Sequence, residues 1–188
     1  MMRKLIYVVF LLLYFLSSLN AFAAGPATVY KVTLTKFEMY NGTSWVTIFE
    51  GSSTTIDIAS ASSGAAAGNF LSGLIVPDGT YTMSRATPSA TFVVRGNDGT
   101  RYTLATNGSN GGCTYTTTAS LAADCTVNVP GGVTADTTTF SSPITVTNNV
   151  PSHKVRVSFD VSTAISYNSL ANEIFPAAPT VTVTTIAY

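Results

Sequence analysis

Apolar and polar residues alternate one for one along this chain, and a chain patterned in that way forms strands. The clearest case is His153 to Val161. Val155, Val157, Phe159 and Val161 fall on one side, and Lys154, Arg156, Ser158 and Asp160 on the other. A period of two sends successive side chains to opposite faces, so the segment predicts a half-buried antiparallel strand. Ile56 and Ile58 alternate with Thr55 and Asp57, and Tyr81, Met83 and Arg85 with Thr80, Thr82 and Ser84. Phe92 and Val94, then Tyr102 and Leu104, flank Asn97-Asp98-Gly99, a hairpin signal. Val127 and Val129 lead into Pro130-Gly131-Gly132, and Ile144 and Val146 into Asn148-Asn149. The first strand, Thr28 to Tyr40, has Tyr30, Val32 and Leu34 in one phase and Phe37 and Met39 in the other; a bulge near Thr35-Lys36 reconciles them. Asn41-Gly42 then signals a second hairpin, with Trp45 to Phe49 as its return strand.

Composition agrees with the pattern. The 188 residues include 30 Thr and 20 Ser, and only 10% are charged. Thr and the other β-branched residues suit a pleated surface. Turn signals recur about every 8–12 residues, as in sandwiches and barrels. The only helical spacing is Ser169 to Ile174, where Leu170 and Ile174 lie four apart, and Ala61 to Asn69 reads as a Ser/Gly/Ala-rich surface loop. The expected fold is all-β: a single antiparallel β-sandwich, immunoglobulin-like or prealbumin-like, over residues 24–188.

The first 23 residues read as an address. Arg3 and Lys4 precede an unbroken apolar run of 12, Leu5 to Leu16, and Ala21-Phe22-Ala23 fits the small-x-small cleavage rule. That order predicts a secretory signal peptide cleaved before Ala24, with an uncleaved anchor as the alternative. A run of 12 is short of the roughly 20 residues that span a bilayer. The expected mature chain has 7 basic and 9 acidic residues and no apolar segment long enough to span a membrane. Its destination is secreted or cell-surface, extracellular or periplasmic. Near-neutral charge excludes a nucleic-acid partner, which needs a basic face.

In an oxidising compartment two cysteines read as one disulfide, Cys113 to Cys125, with two buried free thiols as the alternative. No catalytic constellation stands out. The single His, His153, sits at a strand start, and no G-x-S-x-G elbow is present. Asp57, Asp78, Asp98, Asp124, Asp136 and Asp160 are scattered singly, without the spaced acids of a calcium loop. The expectation is therefore no enzyme, no metal and no cofactor.

Two sets of residues are candidates for binding. Tyr40 and Trp45 flank the Asn41-Gly42 turn, where an aromatic pair can stack on a surface glycan; the alternative is cross-strand packing inside a hairpin. Tyr30, Val32 and Leu34 are candidate subunit contacts. A strand near a terminus, Ala24 to Thr35, can leave its own sheet and complete a neighbour's, giving a homo-polymer by strand exchange. The alternative keeps it in its own sheet. The expected function is thus a non-enzymatic structural or adhesive surface protein, a filament or pilus subunit, with a carbohydrate- or ligand-binding module as the second reading.

Three stretches carry a family resemblance: Val32-Thr33-Leu34-Thr35-Lys36-Phe37-Glu38 followed by Trp45; Val76-Pro77-Asp78-Gly79-Thr80-Tyr81; and Val155-Arg156-Val157-Ser158-Phe159-Asp160-Val161. Together they resemble a family of secreted bacterial β-sandwich domains of unknown function. The resemblance covers the two ends and the middle but not Asn107 to Asp136. It implies a prealbumin-like or immunoglobulin-like sandwich and no activity.

Overall fold

The structure, a computed structural model, describes residues 24–60, 74–129 and 131–188. The signal-peptide reading of residues 1–23 and the loop reading of 61–69 lie outside the described residues. In chain order the strands are β1 (Ala24–Gly25), β2 (Ala27–Val32), β3 (Leu34–Tyr40), β4 (Trp45–Glu50), β5 (Ile56–Asp57), β6 (Gly79–Pro88), β7 (Thr91–Gly96), β8 (Tyr102–Asn107), β9 (Cys113–Thr116), β10 (Cys125–Asn128), β11 (Asp136–Thr147), β12 (Val150–Pro151), β13 (His153–Asp160), β14 (Ile165–Asn168), β15 (Glu173–Pro176) and β16 (Thr180–Ala187). One turn of 3-10 helix at Ala119–Leu121 is the only helical element among the described residues.

All strand pairs among the described residues are antiparallel. The first sheet runs β1-β14-β15-β9-β8, the second β10-β7-β2-β5 and the third β12-β11-β6-β3-β4; β13 and β16 form a two-stranded ribbon. The first two sheets close over one core. Ile165, Ile174 and Cys113 from the first meet Tyr30, Val94, Val127 and Cys125 from the second, all nearly or fully buried. Gly96 marks how closely the two approach: a Cβ there would lie 2.6 Å from the Ile165 side chain and 2.4 Å from the Pro26 carbonyl. A smaller core of Met39, Tyr81, Phe140, Ile144 and Val146 lines the third sheet. The ribbon touches both, with Phe159 packed against the first core and Val183 against the second.

The two phases of the first predicted strand have a topological cause. The strand breaks at Thr33: β2 lies in the second sheet between β7 and β5, and β3 in the third between β6 and β4. Tyr30 and Val32 therefore face the larger core and Met39 the smaller. A register shift between Leu34 and Lys36 supplies the expected bulge.

Other expectations change. Asn97-Asp98-Gly99 makes a turn, but β7 and β8 enter different sheets and share only the Asn97–Tyr102 bridge. In β8 the buried residue is Thr103 rather than Tyr102 or Leu104, its hydroxyl accepting from Gly96 N–H and donating to the Ala123 carbonyl. In β6 the buried phase slips: Tyr81 and Ser84 are buried and Met83 is not, across from the register shift between Thr139 and Ile144 of β11. Ser169 to Ile174 is a turn running into β15 rather than a helix, since Asn168 Oδ1 caps the N–H groups of Leu170 and Ala171. The alternation in β13 is real, but Val155 and Val157 are 42% and 45% exposed. β16 is the one described strand beside β13.

Candidate interaction surfaces

The β3–β4 hairpin holds the first candidate site. Asn41 Oδ1 accepts the N–H groups of Thr43 and Ser44 at 3.0 and 2.9 Å. Gly42 takes a φ of +92°, where a side chain would be strained. This turn sets Tyr40 directly opposite Trp45, with ring centroids 5.4 Å apart and planes tilted by 50°. The Arg85 guanidinium lies 4.3 Å from the centre of the Trp45 ring, a cation–π contact. Arg85 Nε also donates to Glu38 Oε2 at 2.6 Å, and Lys36 Nζ lies 3.0 Å from Glu38 Oε1. Glu38 is only 5% exposed. The Arg85 hydrogen bond above all, then Lys36, hold its carboxyl down to about 2 against the opposing pull of desolvation. Tyr40 and Trp45 are thus brought together as a cross-strand pair, with Arg85 on part of the indole surface that a sugar ring would use. Glu38 and Arg85, 47 residues apart, join the cluster only through β3–β6 pairing, which no sequence spacing announces.

The second set is enclosed. Tyr30 and Val32 are 4% and 9% exposed, and half-buried Leu34 packs against the same core. The Tyr30 hydroxyl donates to the Ala177 carbonyl at 3.1 Å, and burial pushes its phenol up to about 12. In this structure the three candidate subunit contacts serve the molecule's own core. Strand β2 is held in its own sheet because β7 and β5 pair with both of its edges.

The disulfide is present. Cys113 of β9 and Cys125 of β10 are bonded, with Cα atoms 6.1 Å apart, and tie the first sheet to the second. Buried Glu173 on β15 organises the adjoining loop, accepting from Asn110 N–H at 2.9 Å, Asn110 Nδ2 at 3.1 Å and Gly112 N–H at 2.8 Å. A Cβ on Gly108 would fall 2.1 Å from Glu173 Oε1, so the loop needs glycine there. Nearby, the hydroxyls of Tyr115 and Tyr167 both donate to Asn172 Oδ1, and the Arg101 guanidinium lies 3.7 Å from the Tyr167 ring centre while its Nη1 donates to Asp98 Oδ2. Asp124 pairs with Lys31 and Arg95. Buried Asp98 and Glu173 find cationic or N–H partners within the fold, as buried charges must.

His153 Nδ1 lies 2.8 Å from Ser152 Oγ, which also accepts Thr145 N–H at 2.9 Å. Among the described residues no group of three or more His, Cys, Asp or Glu could hold a metal ion.

The surface that the sequence did not single out is the outer edge of the ribbon. Among the described residues β13 pairs with β16 and with no other strand. β16 in turn lies beside β11, where Ser141 Oγ and Thr185 Oγ1 are 2.8 Å apart. Lys154, Arg156 and Asp160 are exposed, and Lys154 Nζ stands 4.8 Å from the Tyr188 ring centre.

The chain is an all-β protein of antiparallel sheets with one disulfide, and among the described residues no helix is long and apolar enough to cross a membrane. No family model, curated protein or solved structure matches it.

Proposed function

We propose that this chain is a secreted, non-enzymatic structural or adhesive surface protein that works by associating with copies of itself. Its fold is read as an immunoglobulin-like or prealbumin-like sandwich, delivered out of the cytoplasm by residues 1–23. The Cys113–Cys125 disulfide supports an oxidising compartment. Low charge suits surfaces that meet their own kind without strong repulsion. The observation that carries the reading is the apolar side of β13, where Val155 and Val157 stand 42% and 45% exposed.

Strand exchange through Ala24 to Thr35 is the costlier route. It would pull β2 from both neighbours and uncover Tyr30 and Val32, each contributing roughly 1.5–3 kcal/mol while buried. Addition at an existing edge leaves that core closed. The test is negative-stain microscopy and light scattering on protein released from the cell surface. Ordered assemblies are expected. Monomers at high concentration that bind a glycan array through Tyr40 and Trp45 would replace this reading with the binding-module one.

A further inference from the structure

We propose that Asn41 is a site of spontaneous covalent modification: it loses its side-chain nitrogen as ammonia through a cyclic imide with Gly42 and becomes aspartate or isoaspartate, whether or not the chain associates with itself.

The reaction needs a free backbone nitrogen on the following residue, a free side-chain amide nitrogen to depart, and donors for the charge that develops on the side-chain oxygen. Glycine in the following place leaves its nitrogen unshielded, since it has no Cβ. The chain has three such pairs, Asn41-Gly42, Asn107-Gly108 and Asn110-Gly111. Sequence treats them alike, and the fold separates them.

At the tip of the β3–β4 hairpin, the Asn41 N–H donates to the Ser44 carbonyl at 3.1 Å and the Tyr40 hydroxyl to the Gly42 carbonyl at 3.1 Å. The Gly42 N–H and Asn41 Nδ2 donate to no described residue. These are the nucleophile and the leaving group. Asn41 Oδ1 accepts the N–H groups of Thr43 and Ser44, so two donors already point at the oxygen on which charge grows when its carbonyl carbon is attacked. Residues 41–44 are all exposed, and a Cβ on Gly42 would meet nothing within 4 Å, so the ring has room to close.

The other two pairs are tied. Asn107 Nδ2 donates to the Thr126 carbonyl at 2.7 Å, and the Gly108 N–H to the Gly112 carbonyl at 2.9 Å. Gly108 is also packed against the Glu173 carboxylate. Asn110 Nδ2 donates to Glu173 Oε1 at 3.1 Å, and the Gly111 N–H to the Gly108 carbonyl at 3.3 Å. In each, nucleophile and leaving group are both held, and the loop must open before the ring can form.

The step balances with water alone. Gly42 N loses its proton and bonds to Asn41 Cγ; the Cγ–Nδ2 bond breaks, and Nδ2 leaves with that proton as ammonia. Water then opens the ring at either carbonyl. Opening at Cγ gives aspartate, with the main chain unchanged. Opening at the backbone carbonyl gives isoaspartate, which routes the main chain through the side chain and lengthens the loop by one carbon. That product disturbs the placing of Tyr40 opposite Trp45.

The test follows the mature chain in warm, mildly alkaline buffer, with peptide mapping by mass spectrometry at all three pairs. Position 41 should convert about tenfold faster than positions 107 and 110, since each of those must first give up hydrogen bonds. Hydroxylamine, which attacks the cyclic imide, should cut the chain between residues 41 and 42. With the disulfide reduced and the chain unfolded in guanidinium, the three sites should react at similar rates. Fluorescence of Trp45, the single tryptophan, should drift with the conversion in wild type and stay constant in Asn41→Ser, which keeps a side-chain oxygen for the turn but has no amide to lose. Equal rates at the three sites in the folded protein, or faster conversion at 107 or 110, would overturn the proposal. So would a position 41 that reacts only after unfolding. None of these readings requires assembly, so their failure leaves the self-association reading untouched.

Discussion

Val94 and Val157 both lie inside antiparallel strands, yet Val94 is fully buried and Val157 is 45% exposed. The difference lies in the neighbours. Val94 sits on β7, flanked by β10 and β2, under a first sheet that the disulfide ties to its own. Val157 sits on β13, beside which β16 is the one described strand. One half of the molecule is closed by short edges and a covalent tie; the other ends in a long ribbon. Alternation fixes which way a side chain points, and the number of neighbouring strands decides whether anything covers it.

The contrast is sharpest in truncation. Ile174→Ala in the closed core should cost about 2–5 kcal/mol, because a fully buried side chain leaves a cavity. Val157→Ala should stay within about 0.5 kcal/mol in the monomer. Urea titration of both measures the gap, and equal losses would mean that the ribbon is as well packed as the core.

Removing the covalent tie comes next. Closing a loop of sequence separation 12 contributes roughly 3 kcal/mol on the chain-entropy account. Reduction should therefore lower the melting temperature by about 6–12 °C. Hydrogen exchange should show lost protection in β9 and β10 while the ribbon is unchanged. Uniform loss would erase the distinction between the halves.

The smallest effect belongs to the third sheet. Glu38→Gln should cost about 1–2 kcal/mol at neutral pH, a charged hydrogen-bond network discounted for cations that are a third exposed. The Glu38 carboxyl is held at about 2, below its ordinary 4.5. The contribution of the ionised form is therefore fully present above about pH 4.5 and is lost as the pH falls toward 2. The stability difference between wild type and the variant should shrink over that window. A difference independent of pH would mean that the ion pairs contribute nothing.

What could be read from residues alone followed the range of the forces involved. Alternation, the Asn41-Gly42 and Asn148-Asn149 turns and the bulge near Thr35 are local, and all are present; Asn148 and Asn149 take φ of 52° and 63°. The disulfide followed from the even cysteine count and the compartment expected for the chain. Sheet membership was out of reach, because Asn97-Asp98-Gly99 turns the chain whether or not its flanking strands stay together. The Glu38–Arg85–Trp45 cluster was equally hidden, since Arg85 arrives from a strand that sequence cannot align with β3. The edge of β13 was missed for the same reason: its pattern predicts an apolar face and says nothing of how many strands will lie beside it.

The break at Thr33 has a mechanical consequence. One continuous stretch of chain belongs to two sheets, β2 in the second and β3 in the third. Tension applied from the Ala24 side runs along these strands, and their ladders with β7 and β6 must slide lengthwise to yield. Many hydrogen bonds then bear the load together, where a hairpin pulled from its open end would lose them singly.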